Sequence, residues 1–216
     1  LSGAGIYDRF TLLDLSLPGT HDTLTYDLST RVSDGGADDE IRFAELMHKY
    51  AKIVPDDIGD FIRQNAQTQG LNITMQLNSG IRFLDLRTMY EYSDKVNPDW
   101  YSLHFLQSNN KMLTYFTEIR EWMNSHPKEI VVMWLSKHGS ECRTGEDQYP
   151  NVSIDIKQSF WGKVEDIFNG LLLTGNDSSI PPVRVNETSI QEMIERNARA
   201  IFYVSDYKEM TNSSIQ

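Results

Sequence analysis

Cysteine is almost absent: Cys142 is the only one in 216 residues, which excludes an internal disulfide framework. Long apolar runs are missing too. None approaches the roughly 20 residues needed to cross a bilayer as a helix. Basic residues are few, with 20 Lys and Arg against 31 Asp and Glu, a net charge of -11, and no Lys/Arg cluster to offset it. That balance argues against nucleic acid or an anionic membrane as an electrostatic partner, so any lipid contact must be local. A glycine-rich phosphate loop of P-loop or dinucleotide-binding spacing is also absent, which removes the usual nucleotide sites. The chain opens at "LSGAGIYDRF" with neither an initiator Met nor a signal-peptide core, and reads as a processed N-terminus.

What is present describes an ordinary globular domain, with 39% hydrophobic and 24% charged residues. Five sequons, at Asn72, Asn151, Asn176, Asn186 and Asn212, exceed the roughly two expected by chance, and point to a secreted glycoprotein. In that setting the lone Cys142 is a candidate for an inter-chain disulfide or a free thiol.

Strand-type runs fall near residues 12–17, 81–87, 100–105, 129–136 and 200–205. Between them, "KMLTYFTEIREWMNSHP", "IKQSFWGKVEDIFNGLLL" and "SIQEMIERNA" carry helical spacing, and the polar "STRVSDGGADDE" reads as a surface loop before helical stretches at "IRFAELMHKYAK" and "DDIGDFIRQ". His48 reads as solvated and His126 as a partner for a helix C-terminus. Strands separated by helices indicate a parallel β/α sheet or barrel, and 216 residues are short for a closed eight-fold barrel of about 250.

Polar residues that could do chemistry sit at the ends of these strands. Pro18-Gly19 stops the first apolar run, so His21 and Asp22 fall in a turn where side chains can face a ligand. Alternation in "GIRFLDLR" puts Phe83, Asp85 and Arg87 on one face. His104 ends "WYSLH" and Lys137 ends "MWLSK". Taken singly, His21 fits a structural histidine, Asp85 and Arg87 a surface ion pair, and Lys137 a solvated lysine. Taken together at one rim, two histidines and an arginine suit phosphodiester cleavage: one imidazole takes a proton from the attacking hydroxyl, the arginine offsets phosphorane-like charge, and the other imidazole protonates the leaving oxygen.

The ordered set "SLPGTHDT", "GIRFLDLR", "SLHFL" and "HPKEIVVMWLSK" resembles the X-domain of phosphatidylinositol-specific phospholipase C, in particular the metal-independent bacterial-type group, over most of residues 10–206 apart from a polar and helical insertion at about 30–70. The resemblance implies an α/β fold, a distorted TIM-type (β/α) barrel, of which residues 1–216 would be the N-terminal portion with about the first five or six strands. It implies cleavage of a phosphoinositide-like lipid by attack of the inositol 2-hydroxyl. By the same resemblance His21 is the general base, His104 the general acid, and Asp22 the partner that orients the acid. Arg87 stands in the place of calcium in metal-dependent relatives, Asp85 supports it, and no metal or other cofactor is needed. Lys137 falls on the pocket wall. Asp206, beside Tyr207, stands where the family has an arginine for inositol, which points to a different headgroup.

The family's last strands, and a late Asp that supports the base, have no counterpart before the chain stops at "TNSSIQ". The expectation is therefore a cleaved precursor whose second polypeptide, linked through Cys142, completes the barrel, with a peripheral membrane surface as the place of action. A catalytically silent binding or toxin-like glycoprotein is the alternative. A metal-dependent glycerophosphodiesterase or sphingomyelinase D relative is a third, which would need clustered carboxylates where Arg87 stands.

Overall fold

The apolar run expected as a strand at 12–17 instead begins with a turn of 3-10 helix, Leu12–Asp14. Its cause is Asp14, whose carboxylate accepts from the Thr11 backbone N–H at 2.8 Å and from the Thr11 hydroxyl at 2.9 Å. Those two bonds curl the chain and hold the Asp14 carboxyl below its usual range. In this computed structural model residues 9–32, 46, 58–91, 98–136, 152–173 and 184–204 are described.

Seven strands form one mixed sheet: β1 (Gly19–Thr20), β2 (Leu28–Val32), β3 (Phe83–Glu91), β4 (Asp99–His104), β5 (Leu106–Lys111), β6 (Val131–Ser136) and β7 (Ala200–Val204). Among the described residues five complete helices accompany them: α1 (Ile58–Ala66), α2 (Ile73–Asn78), α3 (Met112–Ser125), α4 (Ile154–Ile167) and α5 (Ile190–Glu195). The order is β2-β5-β4-β3-β6-β7, with β1 also on β3. Among the described residues the sheet does not close on itself.

The expected all-parallel arrangement holds for only half of it. Strands β1, β3, β6 and β7 run parallel, whereas β2, β5, β4 and β3 are joined antiparallel. Strand β3 belongs to both halves. Its residues Phe83 to Arg87 pair with β6, and Thr88 to Glu91 pair with β4. Four of the five strands that the sequence suggests are β3, β4, β6 and β7, and three strands, β1, β2 and β5, lie outside the suggested ranges. Part of the expected loop "STRVSDGGADDE" is β2, and the polar "LQSNNK" is β5.

Alternation along β3 and β6 decides which side faces what. Leu84, Leu86, Val131, Met133 and Leu135 pack under helices α2, α3 and α4 against Leu77, Phe116, Ile119, Phe160 and Val164, all buried. Each such side chain contributes about 1.5–3 kcal/mol. The opposite face of β3 carries Phe83, Asp85 and Arg87. Its lower end is plugged by Leu12, Val132, Ile190, Met193 and Ile201, with Phe83 and Leu17 against them. Trp100, Tyr101 and Trp122 are core residues and offer no membrane contact. His126 caps α3 as expected: its Nδ1 lies 2.7 Å from the Trp122 carbonyl oxygen and its ring stacks on Trp122 at 4.0 Å.

Candidate active site

Strand β1 is only two residues long, and the turn after it matters more than the strand. Asp22 takes a left-handed backbone (φ 49°), a conformation that aspartate tolerates better than most residues. Its backbone N–H donates to Asp85 Oδ2 at 3.2 Å, and the Thr23 N–H donates to the Asp85 carbonyl at 3.0 Å. The turn is thereby tied to β3. It buries the Asp22 carboxylate (side chain 1% exposed) and leaves the neighbouring His21 imidazole 69% exposed.

A buried carboxylate must be paired. Arg87 Nε meets Asp22 Oδ1 at 2.5 Å and lies 3.5 Å from Asp85 Oδ2. The contact with Asp22 is an ion pair in which neither Asp22 oxygen completes an aligned hydrogen bond. On the other Asp22 oxygen, Oδ2, two imidazoles converge: His21 Nε2 at 3.2 Å and His104 Nε2 at 3.5 Å. Arg87 Nη2 lies 3.2 Å from His21 Nε2. His21, Asp22, Asp85, Arg87 and His104 thus form one cluster.

The ring partners differ between the two histidines. His21 Nδ1 is 2.9 Å from Asp85 Oδ2, and with the proton on Nδ1 the Nε2 lone pair faces Arg87 Nη2 at 3.2 Å. His104 Nδ1 is 2.7 Å from the Ala66 carbonyl oxygen, which can only accept. A second proton on His104 therefore resides on Nε2, beside the Asp22 charge. His21, Asp22 and Asp85 place ligand atoms within 4.8 Å of one another, close enough to share a cation, and the fold supplies the Arg87 guanidinium there.

Two features of this cluster depart from expectation. The carboxylate on His21, expected from another polypeptide, is provided by Asp85 of this chain. His104 arrives on an antiparallel strand, so the common rim of a parallel sheet does not explain its position. The return of β4 alongside β3, with Ser102 opposite Thr88, carries it back to the level of Arg87. Ala66, on α1, was not legible as a partner, because nothing in its side chain marks a carbonyl for use. Lys137, Asp206, Tyr207, Cys142, His48 and the sequons at Asn151, Asn176 and Asn212 lie outside the described residues. Asn72 caps α2, its Oδ1 accepting from the Met75 N–H at 2.9 Å, and is exposed, as is Asn186.

Comparison with known proteins places the chain in one family. The family model PI-PLC X 1 covers residues 58–144, which include Asp85, Arg87 and His104. Human PI-PLC X domain-containing protein 1 is 30% identical over 160 residues, and the mouse protein of the same name is 28% identical over 172. The chain belongs to the PI-PLC X-domain family. It is also 23% identical over 202 residues to the 1-phosphatidylinositol phosphodiesterase of Listeria monocytogenes.

The structure of phosphatidylinositol-specific phospholipase C from that bacterium resembles this one with a TM-score of 0.52 at 17% identity, over 94% of this chain and 56% of that one. That likeness shows a mixed α/β fold similar to that of the bacterial phospholipase. The chain spans 44% of the length of the human and mouse relatives, while 73% and 79% of it, respectively, align with them. Neither these likenesses nor the described residues support a second polypeptide or a disulfide.

Proposed function

We propose that this X-domain chain cleaves a phosphoinositide-like lipid at its phosphodiester bond. The observation that carries this reading is the convergence of His21, His104 and Arg87 on the single buried carboxylate of Asp22. The His21 Nε2 lone pair takes the proton of the inositol 2-hydroxyl, and that oxygen attacks phosphorus. Arg87, anchored through Nε, turns its Nη groups toward the non-bridging oxygens, where charge develops. The bond from phosphorus to the glycerol oxygen breaks, and that oxygen takes the Nε2 proton of cationic His104. The products are diacylglycerol and a cyclic inositol phosphate. Asp22 faces His104 Nε2 at 3.5 Å and orients it, and Asp85 orients His21.

Substrate binding by Lys137, Asp206 and Tyr207 belongs to the same proposal. The guanidinium fills the space that a divalent ion would need beside Asp22 and Asp85, so no metal is required. Cleavage of a panel of lipids with and without EDTA is expected to release diacylglycerol and cyclic phosphate from an inositol lipid at an unchanged rate when chelator is present. Loss of product with EDTA would favour the metal-dependent alternative, and lipid binding with no product would favour a silent binding protein.

Secretion as a glycoprotein belongs to the same proposal and rests on the sequons, of which Asn72 and Asn186 are exposed. Peptide N-glycosidase treatment of the protein made in a eukaryotic secretory host is expected to increase its gel mobility. Unchanged mobility would count against it.

A further inference from the structure

The two imidazoles stand on different strands, yet one short segment holds both. Helix α1 ends at Ala66, whose carbonyl fixes His104 Nδ1 at 2.7 Å. Two and three residues later, the Thr68 hydroxyl at 3.3 Å and the Gln69 side-chain amide at 2.8 Å both donate to the His21 carbonyl. The segment is in turn locked to the His21–Asp22 turn by the Thr25 hydroxyl, which is buried at 2% exposure. That hydroxyl accepts from the backbone N–H groups of Thr68 (3.0 Å) and Gln69 (3.1 Å). It also lies 3.0 Å from the Asp22 carbonyl and 2.8 Å from the Thr68 hydroxyl. Four contacts thus share the two lone pairs and one proton of a buried hydroxyl, which has no capacity left over.

We propose that the connector Ala66–Gln69, keyed by Thr25, is a positioning clamp that sets the tautomer of His104 and its placement relative to His21. The proposal rests on the reading of these histidines as acid and base. Neither side chain of the pair determines its partner's position. Helix α1 brings the last of its unpaired carbonyls to His104, and the residues immediately after it grip the backbone of His21. Because a misplacement of about 1 Å at a reacting pair can cost on the order of a hundredfold in rate, such a clamp acts on turnover more than on binding.

Thr25→Val removes the hydroxyl at nearly constant shape, and Thr25→Ser keeps it. Nitrogen-15 NMR of histidine-labelled protein is expected to show neutral His104 as the Nδ1–H tautomer, with mixed tautomers in Thr25→Val and the original state restored in Thr25→Ser. In lipid cleavage Thr25→Val should lose about 10- to 100-fold in kcat with little change in KM, and Thr25→Ser should recover most of it. Gln69→Leu, which removes one partly exposed donor and leaves Thr25 intact, should lose a smaller factor of kcat and serves if Thr25→Val fails to fold.

An Nε2–H tautomer in the unaltered protein would overturn the clamp. So would Thr25→Val or Gln69→Leu turning over at the original rate, or failure of Thr25→Ser to restore the tautomer. The tautomer is read without substrate, so a protein that binds lipid but does not cleave it would refute the catalytic reading while the NMR result still judged the clamp.

Discussion

His104→Ala should lower cleavage of a natural lipid by about 10²–10⁴-fold, the range that general acid catalysis supplies. The loss should nearly vanish with an inositol phosphodiester whose leaving group is a phenolate that departs without a proton. His21→Ala should fail with both substrates, because the attacking hydroxyl must be deprotonated whichever group leaves. The contrast comes from the ring partners. With its Nδ1 proton turned to Asp85 at 2.9 Å, His21 keeps Nε2 as its basic nitrogen, 3.2 Å from Arg87 Nη2, whereas the Ala66 carbonyl at 2.7 Å and the Asp22 carboxylate equip His104 to deliver a proton. Steady-state rates of the two variants on the two substrates decide the matter. If His104→Ala were equally impaired on both, its role as proton donor would be lost, and undiminished cleavage in both variants would remove the proposed function.

The second large effect is expected from a change that keeps the charge. Arg87→Lys should lower kcat by about 10²–10³-fold, comparable to the loss of one preorganised donor to a developing oxyanion. Arginine uses Nε on Asp22 and still reaches the His21 side through Nη2 at 3.2 Å. An ammonium is a single point of charge and cannot span both positions. If it stays on Asp22 it leaves the phosphate, and if it moves to the phosphate it strips a buried carboxylate of its closest cation. Kinetics on vesicles, with circular dichroism to confirm folding, test this. Lysine supporting cleavage within a few-fold of arginine would mean that positive charge alone suffices and that the fork geometry is irrelevant.

The cluster and much of the framework were legible in the sequence for identifiable reasons. "KMLTYFTEIREWMNS" holds Leu113, Phe116, Ile119 and Met123 at helical spacing, and α3 occupies Met112–Ser125. "EIVVMWLSK" and "RAIFYVSDY" are strongly β-forming runs and became β6 and β7. The period of two in "RFLDLR" correctly separated Asp85 and Arg87 from Leu84 and Leu86. The misreadings also have physical causes. "TLLD" is apolar enough for a strand, but a Thr and an Asp three apart cap a turn, a signal that was present and outweighed by composition.

Strand β5 was hidden because its polar residues look like a loop until their partners are known. Asn109 and Asn110 both donate to the Asp27 carboxylate, which also accepts the Tyr115 hydroxyl at 2.5 Å, a set that joins two segments far apart in the chain. Burial and that neighbouring carboxylate push the Tyr115 hydroxyl above its usual range. Strand direction was not legible at all. A single strand's pattern reports which face is buried and carries no information on whether its neighbour runs with or against it, so the antiparallel delivery of His104 lay beyond reach. The Ala66 carbonyl was equally invisible, since every residue has one.

Among the described residues only β3 borders both regimes of the sheet, and this makes it a keystone. Displacing β1 would remove one imidazole and displacing β4 the other, each leaving the guanidinium and a carboxylate in register. A break within Phe83–Glu91 would instead scatter Asp85 and Arg87 themselves and uncouple the flanks on which the two rings ride. Lesions on either flank therefore disarm the centre by degrees, whereas one in the shared strand dismantles it outright.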